Sequence, residues 1–596
     1  MSVLFQTGKY CLRKSYSYSF CKYVLLRKKS DVPRKFITFD EIVTQRRAEA
    51  RRSLVVQVNS ESSFDELYGY CSKYSSIKDV YHYKNSGEEH FMLIEFSSEE
   101  NLQSILQSCC SHQKDLEVMA VQSPFVWFRA ASVAKQKLTA NGLELRVKDG
   151  NNKHSEDLLF EDLMKCQTVS EQIQMLYDKT ILNDVGARLR FMVARQLEVI
   201  LSSLYTNIQV LPFGSSVNGF GKMGCDLDLV LTNSLTDGMM SPSNRLVYQE
   251  KRSEGSRGPW QRHMELVGAL LELRVPGATR VQRILNARVP IVKYSQELVD
   301  VDVDLCFKNM SGVYMSALLY SLGALDPAGP ALAVSVRRWA AAVQLTQPHP
   351  GRWITNFPLT LMVLFFLMTQ KILPTFRCLL ECAGKEDVRL TEDNINCTFV
   401  RDLSRLPPHS YRPSSDDLQT LLLKFFEFYS QFDFQEHAIS VIEGKPIRKP
   451  NTLPLYIVNP LEPALNVSRN VSYEECERLK MEVRNAAWHL EACLDNNRGD
   501  DWGILGLVEK KTTRGLKKLL RAGNQHRLVS VKDLFKDDEQ PASATSPRKT
   551  HTDTDREGQS SGRHHRHGAD DKHDKVKLKN TQTAKEVYRI RRDKLI

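Results

Sequence analysis

The stretch PFGSSVNGFGKMGCDLDLVL, residues 212–231, decides the fold. Gly214 and Ser215 follow a short apolar run, Val210 to Phe213, and Asp226 and Asp228 sit in the alternating segment DLDLVL. Side chains of a strand alternate faces, so Asp226 and Asp228 point the same way while Leu227 and Leu229 point into a core. Two carboxylates held together raise one another's pKa, and a cation between them removes the conflict. Their hard oxygens suit Mg²⁺. A Gly-Ser turn entering a short helix offers N–H groups and a hydroxyl to a phosphate. The combination predicts a place that holds a nucleoside triphosphate and its cations.

Working outward, Asn183 and Asp184 are placed to cap a long amphipathic helix, VGARLRFMVARQLEVILSSLY, that delivers the chain to this strand. A polar segment, Thr232 to Gly258, reads as a surface insertion. A helix over 260–275 and a strand over 283–295 follow. Then ELVDVDVDLCF (297–307) sets Asp300, Asp302 and Asp304 on one face of a second acidic strand. One of the three can complete a carboxylate triad with Asp226 and Asp228, and strand parity does not say which.

Strand, Gly-Ser, Gly-rich turn and DxD strand together resemble the signature of the DNA polymerase β-like nucleotidyltransferase superfamily. Members bring a third carboxylate from a later strand, just after a "PIVK" strand and ahead of an Asn. Here PIVK (290–293) and Asn309 bracket Asp304, so the resemblance implies Asp304, with Asp302 as the alternative. Beyond residue 310 several segments resemble noncanonical poly(A) and terminal uridylyl transferases: SVRRWAAAVQL (335–345), WITNFPLTLMVLFFL (353–367), LLLKFFEFYSQFDF (421–434) and LYIVNPLEPALNVSR (455–469). The resemblance covers about residues 175–505.

It implies an α+β palm over 165–310, a helical PAP-associated domain over 311–505, and template-independent transfer of nucleotides from ATP to RNA 3′ ends, with UTP as the alternative donor. Asp226, Asp228 and Asp304 would hold Mg²⁺ or Mn²⁺. Gly214, Ser215 and Arg337 would meet the triphosphate. Asn356 and Phe357 stand where the family has a Ser-Tyr pair, and Phe357 keeps a stacking face. Asn459, Glu462 and Asn466 would lie near the base edge. Ala341 replaces a basic residue common in the family, and Arg338 is the candidate to compensate.

Residues 50–130 read in the order βαββαβ and resemble an RNA-recognition motif, with Phe91 and Phe96 where stacking aromatics are expected. The expected use is RNA binding or protein–protein contact, homodimerisation being what relatives suggest. A last strand is expected near 116–121. Ahead of it, residues 1–30 hold seven Lys or Arg and no acid, with Ser15, Ser17 and Ser19 among them. With the start of the following segment (1–45) this describes a mitochondrial transit peptide and predicts a matrix location.

The 596 residues and 42% hydrophobic content allow several domains with a substantial core. The formal charge of +11 favours an anionic partner such as RNA. No apolar run reaches the ~18 residues of a membrane span. Thirteen scattered cysteines without a CxxC pair point to free thiols in a reduced compartment. From about 536 the composition turns to Lys, Asp, Ser, Thr and His, including RHHRHG (563–568), which predicts a disordered polar tail.

Overall fold

The computed structural model describes residues 36–109, 121–129, 145–147, 155–205, 207–232, 259–287, 289–349, 351–493 and 501–509. The expected transit segment up to residue 35, the insertion over 233–258 and the polar tail lie outside the described residues. Helix α1 (Phe39–Arg51) starts on a capping box, the Thr38 hydroxyl and Glu41 carboxylate each satisfying an end amide. Phe39 is buried, and Phe36 packs on the Tyr320 ring. Residues 39–45, assigned by sequence to the targeting segment, therefore belong to the folded core.

The amino-terminal unit runs β1 (Ser53–Val58), α2 (Phe64–Cys71), β2 (Ile77–Lys84), β3 (His90–Phe96), α3 (Glu99–Ser108) and β4 (Phe125–Trp127), with β5 (Arg146–Val147) added later. Its sheet order is β4-β1-β3-β2-β5. The strand expected near 116–121 falls almost wholly outside the described residues; β4 at Phe125–Trp127 pairs parallel to β1. Period-two alternation divides the strands between two cores. Val56, Met92, Ile94 and Phe96 pack with Leu67, Leu102 and Ile105 under the two helices. Val55, Tyr81, Tyr83, Phe91 and Leu93 join the main core of the chain.

Helices α4 (Glu156–Met164), α5 (Val169–Thr180) and α6 (Asp184–Leu201) follow. The Asn183 side chain caps α6 by accepting from the Gly186 amide at 2.6 Å, as the sequence predicts. The second sheet comprises β6 (Gln209–Phe213), β7 (Leu227–Thr232), β8 (Ala278–Ile284), β9 (Ile291–Gln296) and β10 (Val301–Phe307), ordered β6-β7-β10-β9-β8, with α7 (Pro259–Arg274) between β7 and β8. The single strand expected over 283–295 is two antiparallel strands, because a turn beginning at Leu285 breaks it.

The remaining chain is mostly helical: α8 (Met310–Leu325), α9 (Ala328–Ala342), α10 (Asn356–Thr369), α11 (Phe376–Glu381), α12 (Leu418–Ser430), the small ribbon β11 (His437–Ala438) and β12 (Ile447–Arg448), α13 (Tyr473–Ala492) and α14 (Leu505–Val508). Trp339, Phe365, Phe366, Phe425 and Phe426 are all buried, so the aromatic stripes are core. Helix α10, apolar on every side, is buried from Pro358 to Met368. Among the described residues no single helix is long and apolar enough to cross a membrane.

Candidate active site

The site is built where β7 and β10 lie side by side. Their parallel register sets Asp228 directly beside Asp304 and Leu229 beside Leu305. Leu227, Leu229, Val303 and Leu305 are fully buried on the opposite face, which fixes the direction in which the acids project. Register thus separates what parity alone leaves open. Asp304 is the acid abreast of Asp228, whereas Asp302 lies outside β7's paired span, largely exposed, and accepts a hydrogen bond from Ser295. Asp300 does not share the strand face at all. It precedes β10 with φ of 51° and accepts from the Ser86 amide of the amino-terminal unit at 2.6 Å.

The Gly-Ser turn closes against these acids. Gly214 has φ of +67°, and a Cβ there would overlap the Asp228 carboxylate. Its amide donates to Ser316 Oγ at 2.7 Å, which ties the turn to α8. From below, the buried Arg190 of α6 holds the loop together. It donates to Ser216 Oγ at 3.1 Å and to the Cys225 carbonyl at 2.6 Å. Ser216 in turn reaches the Asp226 carbonyl at 3.3 Å. Arg190 is a positioning residue that sequence reading passed over. Its only signal was an arginine at a position whose helical neighbours are all apolar.

The electrostatics are those of carboxylates short of counter-charge. Burial pushes the Asp228 carboxyl up to about 7, with Asp304 and Asp226 adding to the shift. Asp226, at the open edge, is raised by partial desolvation, then by Asp304 and Asp302. Asp304 is turned onto Lys293 Nζ of β9 at 2.7 Å. Among the described residues no three His, Cys, Asp or Glu side chains already stand as a metal cage. The two raised carboxyls and the lysine drawn onto the third nonetheless describe a cluster that a divalent cation relieves, and all its donors are hard oxygens.

A further cation is bound to the Gly-rich loop. Arg337 of α9 donates to the Phe220 carbonyl in the Gly-rich loop, and burial pulls its guanidinium down to about 10. No carboxylate among the described residues pairs with it. An unpaired, desolvated arginine against a glycine-rich turn is arranged for an anion. Arg338 does not fill the place left by Ala341: it pairs with Glu156 of α4 at 3.1 Å, away from the loop.

The base-side candidates divide. Asn356 opens α10, exposed, and Phe357 beside it is half-buried. Asn459 Oδ1 accepts from the Leu461 and Glu462 amides at 3.0 and 3.2 Å, so it shapes the turn that carries Glu462. Asn466 is buried and bound to backbone. Its Oδ1 accepts from the Ile457 and Ser468 amides and its Nδ2 donates to the Leu455 carbonyl. It holds the 455–468 segment together, which commits its oxygen and one of its two amide hydrogens to backbone.

Comparison with known proteins follows the same lines. Residues 169–323 match the family described as "Poly(A) RNA polymerase, mitochondrial-like, central palm domain", and residues 417–460 match "Cid1 family poly A polymerase". The mitochondrial poly(A) RNA polymerase of Drosophila melanogaster is 44% identical over 85% of this chain and 86% of its own length. The human protein of that name is 32% identical, over 83% and 85%. The crystal structure of mtPAP in complex with ATPgammaS superposes with a TM-score of 0.70 at 30% identity, over 80% of this chain and all of that one. With a nucleotidyltransferase palm, a PAP-associated helical region and relatives at this level of identity, the chain belongs to the mitochondrial poly(A) RNA polymerase family.

Proposed function

We propose that the protein is a template-independent RNA adenylyltransferase that extends the 3′ ends of mitochondrial RNA from ATP. The observation that carries the reading is the crowding of Asp226, Asp228 and Asp304 beside the glycine-rich turn, with Arg337, which has no carboxylate partner among the described residues, bound to the same turn. A triphosphate with its metal satisfies both.

Asp226, Asp228 and Asp304 would hold Mg²⁺ or Mn²⁺, which when bound neutralises the triphosphate and eases deprotonation of the RNA 3′-hydroxyl. The chain's own groups do the positioning. Gly214 lets the backbone of the turn come close, Ser215 offers its amide and hydroxyl to the phosphates, and Arg337 offers a fixed positive charge beside them. Phe357 supplies a face for the base and Asn356 an amide at its side. Glu462, on the turn shaped by Asn459, faces the base edge, while Asn466 acts by holding that segment in place. Lys293 holds the Asp304 carboxylate in place beside Asp228.

The chain acts in the mitochondrial matrix, delivered by its basic leader, and pairs as a homodimer through the amino-terminal unit. In an extension assay with labelled RNA and ATP, Asp226→Ala, Asp228→Ala and Asp304→Ala each abolish addition while RNA is still bound. Asp302→Ala keeps most of it. Full activity in Asp304→Ala with loss in Asp302→Ala would reverse the assignment of the third carboxylate.

A further inference from the structure

The carboxyl end of α13 carries a second piece of chemistry, remote in sequence from the carboxylates. Cys493 caps this helix, half-buried, with His489 one turn behind it. Segment 501–509 folds back over both. The Gly503 amide donates to Cys493 Sγ at 3.3 Å. His489 Nε2 stands 3.7 Å from the same sulfur and 2.9 Å from the Gly503 carbonyl.

That carbonyl settles the proton. A carbonyl oxygen only accepts, so Nε2 carries the hydrogen, which is directed to that carbonyl and shared with the sulfur at the longer distance. The sulfur is thus flanked by two N–H donors, an arrangement that favours the thiolate. Burial by itself would raise this thiol, but His489 and the Gly503 amide outweigh it and bring Cys493 below the ordinary cysteine value. By contrast, burial pushes up Cys71, Cys306, Cys397 and Cys476.

Two glycines make the room. Gly503 has φ of +67°, and a side chain there would run into Gln172, whose Oε1 accepts from the Ile504 amide at 3.0 Å. A side chain at Gly506 would overlap the His489 ring.

We propose that Cys493 is a modification site, a nucleophilic thiolate held by His489 and the Gly503 amide that takes a peroxide and then a small thiol such as glutathione. The sulfur lone pair attacks one peroxide oxygen: the S–O bond forms, the O–O bond breaks, and hydroxide leaves to be protonated to water by solvent. Sulfur is oxidised and peroxide reduced. Glutathione thiolate then attacks the sulfenyl sulfur, forming S–S and expelling hydroxide. The added group displaces the Gly503 amide, so modification detaches 501–509 from α13.

The test uses the full-length reduced protein, limiting iodoacetamide, and peptide mass spectrometry. Cys493 is alkylated at least about fivefold faster than the half-buried Cys225 and Cys382, as its thiolate character requires. Brief hydrogen peroxide followed by dimedone labels Cys493 first. His489→Gln brings its alkylation rate to that of Cys382 without changing RNA extension. Alkylation of wild-type Cys493 no faster than Cys382, or an unaltered rate in a folded His489→Gln protein, overturns the proposal. Should that variant fail to fold, the wild-type ranking still decides.

Discussion

Gly214 shows how one residue holds the site together. Its positive φ and the Asp228 carboxylate packed against its Cα exclude any side chain. Gly214→Ala places a residue in the left-handed region, at about 1–2 kcal/mol, and pushes the carboxylate aside. A misplacement of that kind lowers turnover by roughly 100-fold. The expected result is therefore a small fall in melting temperature with a large fall in kcat for ATP addition. Equal losses in both would mean that the turn matters only for folding. Asp228 adds a pH dependence. Its folded pKa of about 7 lies above the ordinary aspartate value of about 3.9. The metal-free folded state therefore binds the extra proton, and its stability declines as pH rises between these values. In a chelator, wild type loses stability from pH 5 to 7.5 relative to Asp228→Asn; parallel curves for the two would contradict the electrostatics of the cluster.

At the scale of elements, the contact between the amino-terminal unit and the palm corrects the sequence reading most. Phe91 lies on the sheet face where an RNA-recognition motif stacks bases, but here it is 1% exposed, stacked on Tyr83 at 5.3 Å and part of the main core. Tyr83 reaches the Leu298 carbonyl at 3.0 Å, so the face is closed by the palm itself. Phe96 is fully buried on the other side, under the helices. Phe91→Ala accordingly costs about 3–5 kcal/mol of stability, while the RNA affinity of protein that remains folded is unchanged. A stable variant with weakened RNA binding would restore the stacking role.

An ion cluster fastens the same junction. Glu95, with no exposed surface, accepts from Arg188 of α6 at 2.8 Å and from Arg52 and Lys78, while Arg188 also holds Asp184. Burial alone would raise Glu95, but Arg188, Lys78 and Arg52 outweigh it and hold its carboxyl below the usual range. A lowered folded pKa contributes stability above the ordinary value of about 4.3 that is lost as pH falls through the folded pKa. Glu95→Gln removes the charged acceptor that Arg188, Arg52 and Lys78 share, while Arg188 keeps Asp184 and Glu49, at about 1.5–3 kcal/mol near neutral pH. The gap from wild type narrows on acidification, as denaturant midpoints at pH 7 and pH 3.5 would show; a constant gap would contradict it.

For the molecule as a whole, what was legible in the sequence was what period and turn chemistry encode. Alternation in DLDLVL and ELVDVDVDLCF gave two acidic strands, and Asn183 gave the helix that feeds them. Register was not legible, because pairing of β7 with β10 depends on contacts 76 residues apart, as from Asp228 to Asp304; hence Asp302 stayed beside Asp304 as a candidate, and Asp300 was set on a strand it precedes. The engagement of Asn466 by backbone and of Arg338 by Glu156 was equally hidden. Both are tertiary satisfactions of polar groups that a one-dimensional pattern does not record. The contact of Arg337 with the turn likewise emerges only when α9 is folded against the palm.

The central claim is adenylyl transfer, and the measurement that tests it most directly is extension of a labelled RNA by the purified protein with each nucleoside triphosphate supplied separately, in Mg²⁺ and in Mn²⁺, beside Asp226→Ala. The account predicts long tails with ATP, short or no tails with the other three, and no addition by the variant. Tails made preferentially from UTP would move the protein to uridylyl transfer, and addition retained by Asp226→Ala would contradict the site itself.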